Sequence, residues 1–161
     1  GKIEPGTSEL ARDIAGADLS LYLFEGCKAN HNRDLHITSD RFDEPEGLKL
    51  IRKAQRVVTV HGESGDDLFV RVGGLDKARV TALRNALRNA GFETDAPANS
   101  QLGGTDPNNI CNRGKSGAGV QLEISRGLRD ALLGRDGSPA AQADALRDAF
   151  RRAVRGVLLA E

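Results

Sequence analysis

The chain has 161 residues, 39% of them apolar and 29% charged. That is the composition of a folded domain rather than a disordered one, and the length suits one domain with a sizeable core. Lysine plus arginine equals aspartate plus glutamate at 23 each, so no overall basic field exists to draw in nucleic acid or an anionic membrane, and no apolar run approaches the roughly 20 residues of a membrane span.

The opening Gly1-Lys2-Ile3-Glu4-Pro5 has no initiating Met and no signal-like pattern. It reads as the interior of a longer polypeptide, with an N-terminal segment ahead of it. Pro5-Gly6 is a turn, and Thr7 or Ser8 can cap a helix whose apolar face is Leu10, Ala11, Ile14 and Ala15, stopped by Gly16. Glu9 in its first turn suits the helix dipole. Glu4 precedes the turn, where neither capping nor periodicity accounts for it; taken alone, it reads as an exposed carboxylate.

Residues 19–24 are apolar enough for a central strand ending in Glu25-Gly26-Cys27. Polar loop follows, then a short strand over 36–39. Phe42-Asp43-Glu44-Pro45 leads into a helix, with Asp43 able to cap it and Leu48, Ile51 and Ala54 facing inward.

Val57-Val58-Thr59-Val60-His61-Gly62 is the stretch around which the chain is organised. A short β-branched run bounded by turn residues is a buried strand. In an open α/β sheet ligands bind beyond the carboxyl ends of strands. His61 therefore stands at a mouth, as a metal ligand, a general base or a hydrogen-bonded loop histidine. A further strand over 68–72 ends in Gly73-Gly74. The apolar stripe Val80, Leu83, Leu87 and Ala90 then predicts a helix capped by Asp76 and closed by Gly91.

Residues 95–119 are rich in Gly, Pro and Asn, and a segment of this length without periodicity inside one domain is a functional loop or lid. Within it, Arg113 is able to grip a carboxylate bidentately with the Asn112 amide beside it, or is an ordinary solvated arginine. Val120-Gln121-Leu122-Glu123-Ile124-Ser125 alternates as a strand. Glu123 shares the polar face with Gln121 and Ser125. A rigid strand-mounted carboxylate beside a metal makes a general base; the alternative is a solvated face. Residues 127–133 are helical, and Ser138-Pro139 starts the last helix, with Pro139 at its first position and Leu146, Phe150, Ala153, Val154, Val157 and Leu158 buried. Arg147, Arg151, Arg152 and Arg155 read as its solvated face. Cys27 and Cys111 lack zinc-finger spacing and are too few for a disulfide framework. They form one bridge near the mouth or remain free thiols, so secreted and cytoplasmic locations both stay open. No nucleotide-binding glycine loop and no Gly-x-Ser-x-Gly elbow occurs.

Ile3-Glu4-Pro5-Gly6-Thr7-Ser8-Glu9-Leu10, Phe24-Glu25-Gly26, Leu35-His36-Ile37-Thr38-Ser39, Phe42-Asp43-Glu44-Pro45, Val60-His61-Gly62, Val72-Gly73-Gly74, Asn109-Ile110 with Asn112-Arg113, and Gly119-Val120-Gln121-Leu122-Glu123 form an ordered series. That series resembles the poly-γ-glutamate hydrolase family of bacteria and their phages over nearly the whole chain. The resemblance implies one catalytic domain over residues 1–161 of α/β class, a three-layer α/β/α architecture with a central mixed sheet, like the zinc carboxypeptidases. It implies zinc at the sheet's carboxyl edge and cleavage of γ-glutamyl amide bonds. Glu4 and His61 are the implied zinc ligands, with Glu9 the weaker alternative to Glu4. A further His is expected upstream of Gly1. Glu123 is the implied general base, Arg113 with Asn112 the clamp for a substrate α-carboxylate, and His36 and Glu25 groups that orient a ligand. The expected partner is poly-γ-glutamate or a γ-glutamyl peptide, with no nucleic acid or membrane, and the chain is expected to be a monomer. The alternatives are a non-catalytic polyglutamate-binding domain and an amidase acting on cell-wall γ-glutamyl peptides.

Overall fold

Three short strands carry the alternation seen in the sequence. In the computed structural model, which describes residues 2–94 and 102–160, β1 spans Val58–Glu63, β2 Val70–Gly74 and β3 Val120–Ser125. β3 lies in the middle, parallel to β1 and antiparallel to β2. The α/β class and mixed sheet agree with expectation. β1 runs on through His61 and Gly62 to Glu63, because its pairing with β3 continues to Glu63↔Ser125.

Strand side chains alternate between faces. Val58, Val60, Val70, Val72, Val120, Leu122 and Ile124 share the apolar face. Helices cover it: α1 (Thr7–Ala15) with Leu10 and Ile14, α3 (Lys77–Asn89) with Leu83 and Leu87, α4 (Arg126–Leu132) with Leu128 and Leu132, and α5 (Ala140–Leu159) with Phe150 and Val154. The opposite face carries Thr59, His61, Arg71, Gln121 and Glu123. Register sets His61 against Glu123 on one side and Arg71 against Glu123 on the other. Both faces of β3 are buried, so the polar row is not the solvated surface that the alternation alone allows.

The caps differ in detail. Gly6, at φ 96°, precedes α1, and Thr7 Oγ1 donates back to the Glu4 carbonyl at 2.8 Å rather than to the helix. Glu44, not Asp43, caps α2 (Pro45–Ile51), accepting from the amides of Glu46 and Gly47 at 3.2 and 2.7 Å. Asp76 caps α3, as its sequence position implies, accepting from the Arg79 amide at 3.1 Å, and Gly91 follows with positive φ. Pro139 stands just before α5 instead of inside it.

Two predicted strands are not formed. Residues 19–24 and 36–39 have no ladder partner among the described residues. Residues 19–24 line an apolar groove of about 580 Å³ with Ile14, Val58 and Val60, so their apolar character serves a groove wall rather than a sheet. Before 36–39 the chain makes a 3-10 turn, Asn32–Leu35, pinned by the Asn32 side chain on both backbone groups of Lys28 at 2.9 Å. Arg155 is also not solvated: Nη1 donates to the carbonyls of Ile14 and Ala15 at 2.7 and 2.8 Å, closing the C-terminus of α1.

Of the long loop, residues 95–101 lie outside the described part. The remainder is held by Asn112. Its Oδ1 accepts from Gly119 at 3.0 Å and Leu75 at 3.3 Å, and its Nδ2 donates to Gly104 and Asp106 at 2.8 and 2.9 Å. Replacing it with alanine strands four backbone groups, two amides and two carbonyls. Asn112→Ala is therefore expected to cost ~3 kcal/mol in urea unfolding, against under ~1 kcal/mol for Arg113→Ala.

Candidate active site

The site is assembled from the turn before α1 and the tips of β1 and β3. Glu4 leans onto β1, where Oε2 accepts the Gly62 amide at 2.8 Å and lies 3.9 Å from His61 Nδ1. Its other oxygen is 3.6 Å from His36 Nε2. Arg129 of α4 keeps the turn in place. Only 4% exposed, it donates through Nε to the Pro5 carbonyl at 2.8 Å and through Nη1 to the Glu63 carbonyl at 3.1 Å and to that of Ile124. A Cβ on Gly62 would sit 2.6 Å from that nitrogen, which explains the glycine after His61.

His61 is flanked by Glu4 and by Ser39, whose Oγ is 3.3 Å from Nε2. Burial lowers its pKa below the usual 6.5; the Glu4 carboxylate works against that and His36 reinforces it. The ring is therefore neutral at pH 7, the form that ligates a metal.

Glu123 is 6% exposed. Burial, then the charges of Glu4 and Glu63, push its pKa up to about 8; Arg129 and Arg71 oppose the shift. Arg71 is committed to Glu63 at 2.7 and 3.1 Å, so it gives Glu123 little direct relief. Gln121 Nε2 donates to Glu123 Oε1 at 2.9 Å. A cleft of about 850 Å³ is lined by Glu4, His36, His61 and Glu123 together. Asp40, Asp66 and Asp106 add to its acidic lining, while Arg33, Arg126 and Arg129 supply positive charge. A carboxyl with a pKa near 8 beside a neutral imidazole is the environment of a proton-transfer group.

Several residues expected at the site lie elsewhere. Arg113 donates to the Phe42 carbonyl at 2.7 Å, and Asn112 spends its amide on the loop backbone; neither lines the cleft. Loop closure has claimed both. Glu25 pairs with Arg12 at 3.1 Å, and Glu9 with Arg135 at 2.9 Å, and neither lines the cleft. Cys27 is exposed and Cys111 buried, both free; burial pushes the Cys111 thiol to about 12, so it is inert. Sequence reasoning passed over Arg129, Ser39 and Asn109. Gln121 was visible as Glu123's neighbour on one strand face, but its burial was not.

Neutral imidazole and carboxylate are donors that suit zinc. Glu4 and His61 fit in kind but fall short in number: among the described residues no group of three His, Cys, Asp or Glu side chains is arranged to hold a metal ion.

The pH dependence of metal-free stability follows from these groups. Glu123, raised in the folded state, stabilises fully below its unfolded value of 4.5, and that contribution is lost as pH rises toward about 8. His61, lowered in the folded state, has the opposite slope, confined to pH below its unfolded 6.5. Between pH 6.5 and 8, chelator-treated protein should therefore lose Tm with rising pH, and Glu123→Gln should flatten that segment and, between pH 4.5 and 6.5, remove the loss that offsets the His61 gain.

The chain resembles known proteins over most of its length. The UPF0714 protein YndL of Bacillus subtilis (strain 168) is 42% identical over 139 residues, which is 83% of this chain and 53% of that protein. This chain thus spans about half the length of the curated relatives it matches. Among solved structures, a bacteriophage poly-gamma-glutamate hydrolase superposes with TM-score 0.87 at 34% identity, covering 98% of this chain and 78% of that one. YNDL in a zinc-free apo form superposes with TM-score 0.85 at 36% identity, covering 99% and 82%. The profile of the poly-gamma-glutamate hydrolase family matches residues 1–154, and the chain belongs to that family.

Proposed function

We propose that the protein is a zinc-dependent hydrolase of γ-glutamyl amide bonds in poly-γ-glutamate, with a three-layer, zinc-carboxypeptidase-like architecture. The observation that carries the reading is the meeting of Glu4, His61 and Glu123 in one cleft at the carboxyl ends of two parallel strands. Family membership supports the substrate, and the zinc-free description of YNDL supports the metal.

Glu4 and His61 would hold the ion, with a histidine ahead of Gly1 as the third ligand. When bound, zinc polarises an amide carbonyl and acidifies water. The chain's own residues supply the proton path. Glu123 takes a proton from the attacking water as the C–O bond forms, then returns it to the leaving amine nitrogen as the C–N bond breaks, ending ionised as it began. A cation in the cleft lowers the Glu123 pKa from about 8, because it offsets the Glu4 and Glu63 charges that raise it. His36 bears on the second oxygen of Glu4 and limits its rotation. The cleft arginines Arg33 and Arg126 meet substrate α-carboxylates in the place first assigned to Arg113 and Asn112.

The test uses the full-length protein. Glu123→Gln should slow shortening of poly-γ-glutamate by about 10²–10⁴-fold with bound zinc retained, while His61→Ala should lose the zinc itself. A chelated, metal-free preparation that still shortens the polymer would overturn the proposal. The donor shortfall among the described residues favours one competing reading, a polymer-binding domain. It predicts binding without cleavage and no effect of Glu123→Gln. Faster cleavage of muropeptides than of the polymer would assign the amide chemistry to cell-wall peptides.

A further inference from the structure

We infer that Asn109 and Gln121 form an amide relay that fixes which oxygen of Glu123 carries the proton, making Gln121 a positioning residue for the proposed hydrolysis. The inference rests on the general-base reading of Glu123 and extends it to groups that do not touch substrate.

The polarity of the relay is set from outside it. A backbone N–H can only donate. The Cys111 amide donates to Asn109 Oδ1 at 3.0 Å, so the other end of that side chain is its NH₂ group. Asn109 Nδ2 donates to Gln121 Oε1 at 2.8 Å. Gln121 must then present its own NH₂ group on the far side, where it donates to Glu123 Oε1 at 2.9 Å and to the Leu102 carbonyl at 3.2 Å. The carbonyl of Leu102 can only accept, so it demands the same orientation of Gln121 independently of Asn109. Both ends of the relay are therefore pinned by backbone groups that cannot change role.

Glu123 Oε1 thereby accepts from Gln121, and because the carbonyl oxygen of a protonated carboxyl is the stronger acceptor, that bond favours the proton on Oε2. Oε2 is then the oxygen that takes the proton from water and returns it to the amine. Asn109, Gln121 and Glu123 are 6%, 3% and 6% exposed. Water therefore competes little for these bonds, and a mis-set amide would leave buried groups facing like partners. The site gains a carboxyl whose proton is biased to one oxygen, which is orientation supplied before the reaction begins.

The test compares wild type with Gln121→Met, which keeps the length and removes both donors, and with Asn109→Ala, which removes the donor to Gln121 Oε1 and leaves the Leu102 carbonyl to hold its orientation. In full-length zinc-loaded protein, Gln121→Met should lower kcat by about tenfold or more, with KM within about threefold and zinc content unchanged; Asn109→Ala should show a smaller loss in the same direction. A second measurement is independent of turnover. In ¹⁵N-labelled metal-free protein the Gln121 side-chain NH₂ should give two inequivalent, slowly exchanging protons, and Asn109→Ala should weaken that protection without abolishing it. A folded Gln121→Met with kcat within twofold of wild type overturns the relay and leaves the hydrolase reading intact, as does a freely exchanging Gln121 NH₂ in wild type. Wild type that binds but never cleaves the polymer defeats the hydrolase reading and, with it, the assigned role of Gln121, even if the NH₂ protection is found.

Discussion

Everything at the site depends on the parallel pairing of β1 with β3. It sets His61 directly beside Glu123 and points both to the same face. Strand side chains repeat every two residues, so a slip of one position would send one of them into the core and bring a valine or leucine to the cleft. The register is held by the apolar face. Val58 and Val60 pack behind Val120, Leu122 and Ile124 against α1, α4 and α5, and that burial is incompatible with any odd shift. The core thus specifies the cleft without contributing an atom to it.

The polar face is expensive to bury, and the structure meets that demand with groups of fixed polarity. Arg129 satisfies three backbone carbonyls and in doing so joins the Glu4 turn to the ends of both strands. Arg71 neutralises Glu63. The Asn109 and Gln121 amides terminate on backbone groups at Cys111 and Leu102. What these networks leave uncompensated is concentrated on Glu123, whose pKa rises to about 8. Structural carboxylates on this chain are treated differently: Asp76 is capped into α3 and paired with Arg79, and its pKa falls. The contrast separates a carboxylate that organises the fold from one held ready to exchange a proton.

Charge also favours a cation between the cleft and its proposed substrate. Carboxylates outnumber guanidinium groups along the lining, and the polymer brings a carboxylate on every residue. Two anionic surfaces repel unless positive charge is added where they meet. Zinc held by Glu4 and His61 would supply it at the point where the scissile carbonyl lies, and the arginines at the cleft wall would supply it on either side.

Much of this was legible in the chain itself. The alternation in residues 120–125, the stripe from Val80 to Leu87 with Asp76 before it, and the abrupt end of the valine run at His61 are local patterns, and local patterns persist in the fold because packing selects the same faces. The strand expected at 19–24 failed because apolarity marks a buried surface without saying whether a sheet or a groove buries it. Arg113 and Asn112 were chemically suited to a carboxylate, yet loop closure used them first. Burial of Gln121 and Glu123, the reach of Arg129 from α4 to the Glu4 turn, and the choice of Gly6 and Glu44 as caps all depend on contacts between residues far apart in the chain. Residue types and their spacing determined the class of chemistry this protein can support. Only the tertiary structure decided which of those residues meet, because the distances and desolvation that tune a carboxyl or an imidazole are set by neighbours that no local pattern names.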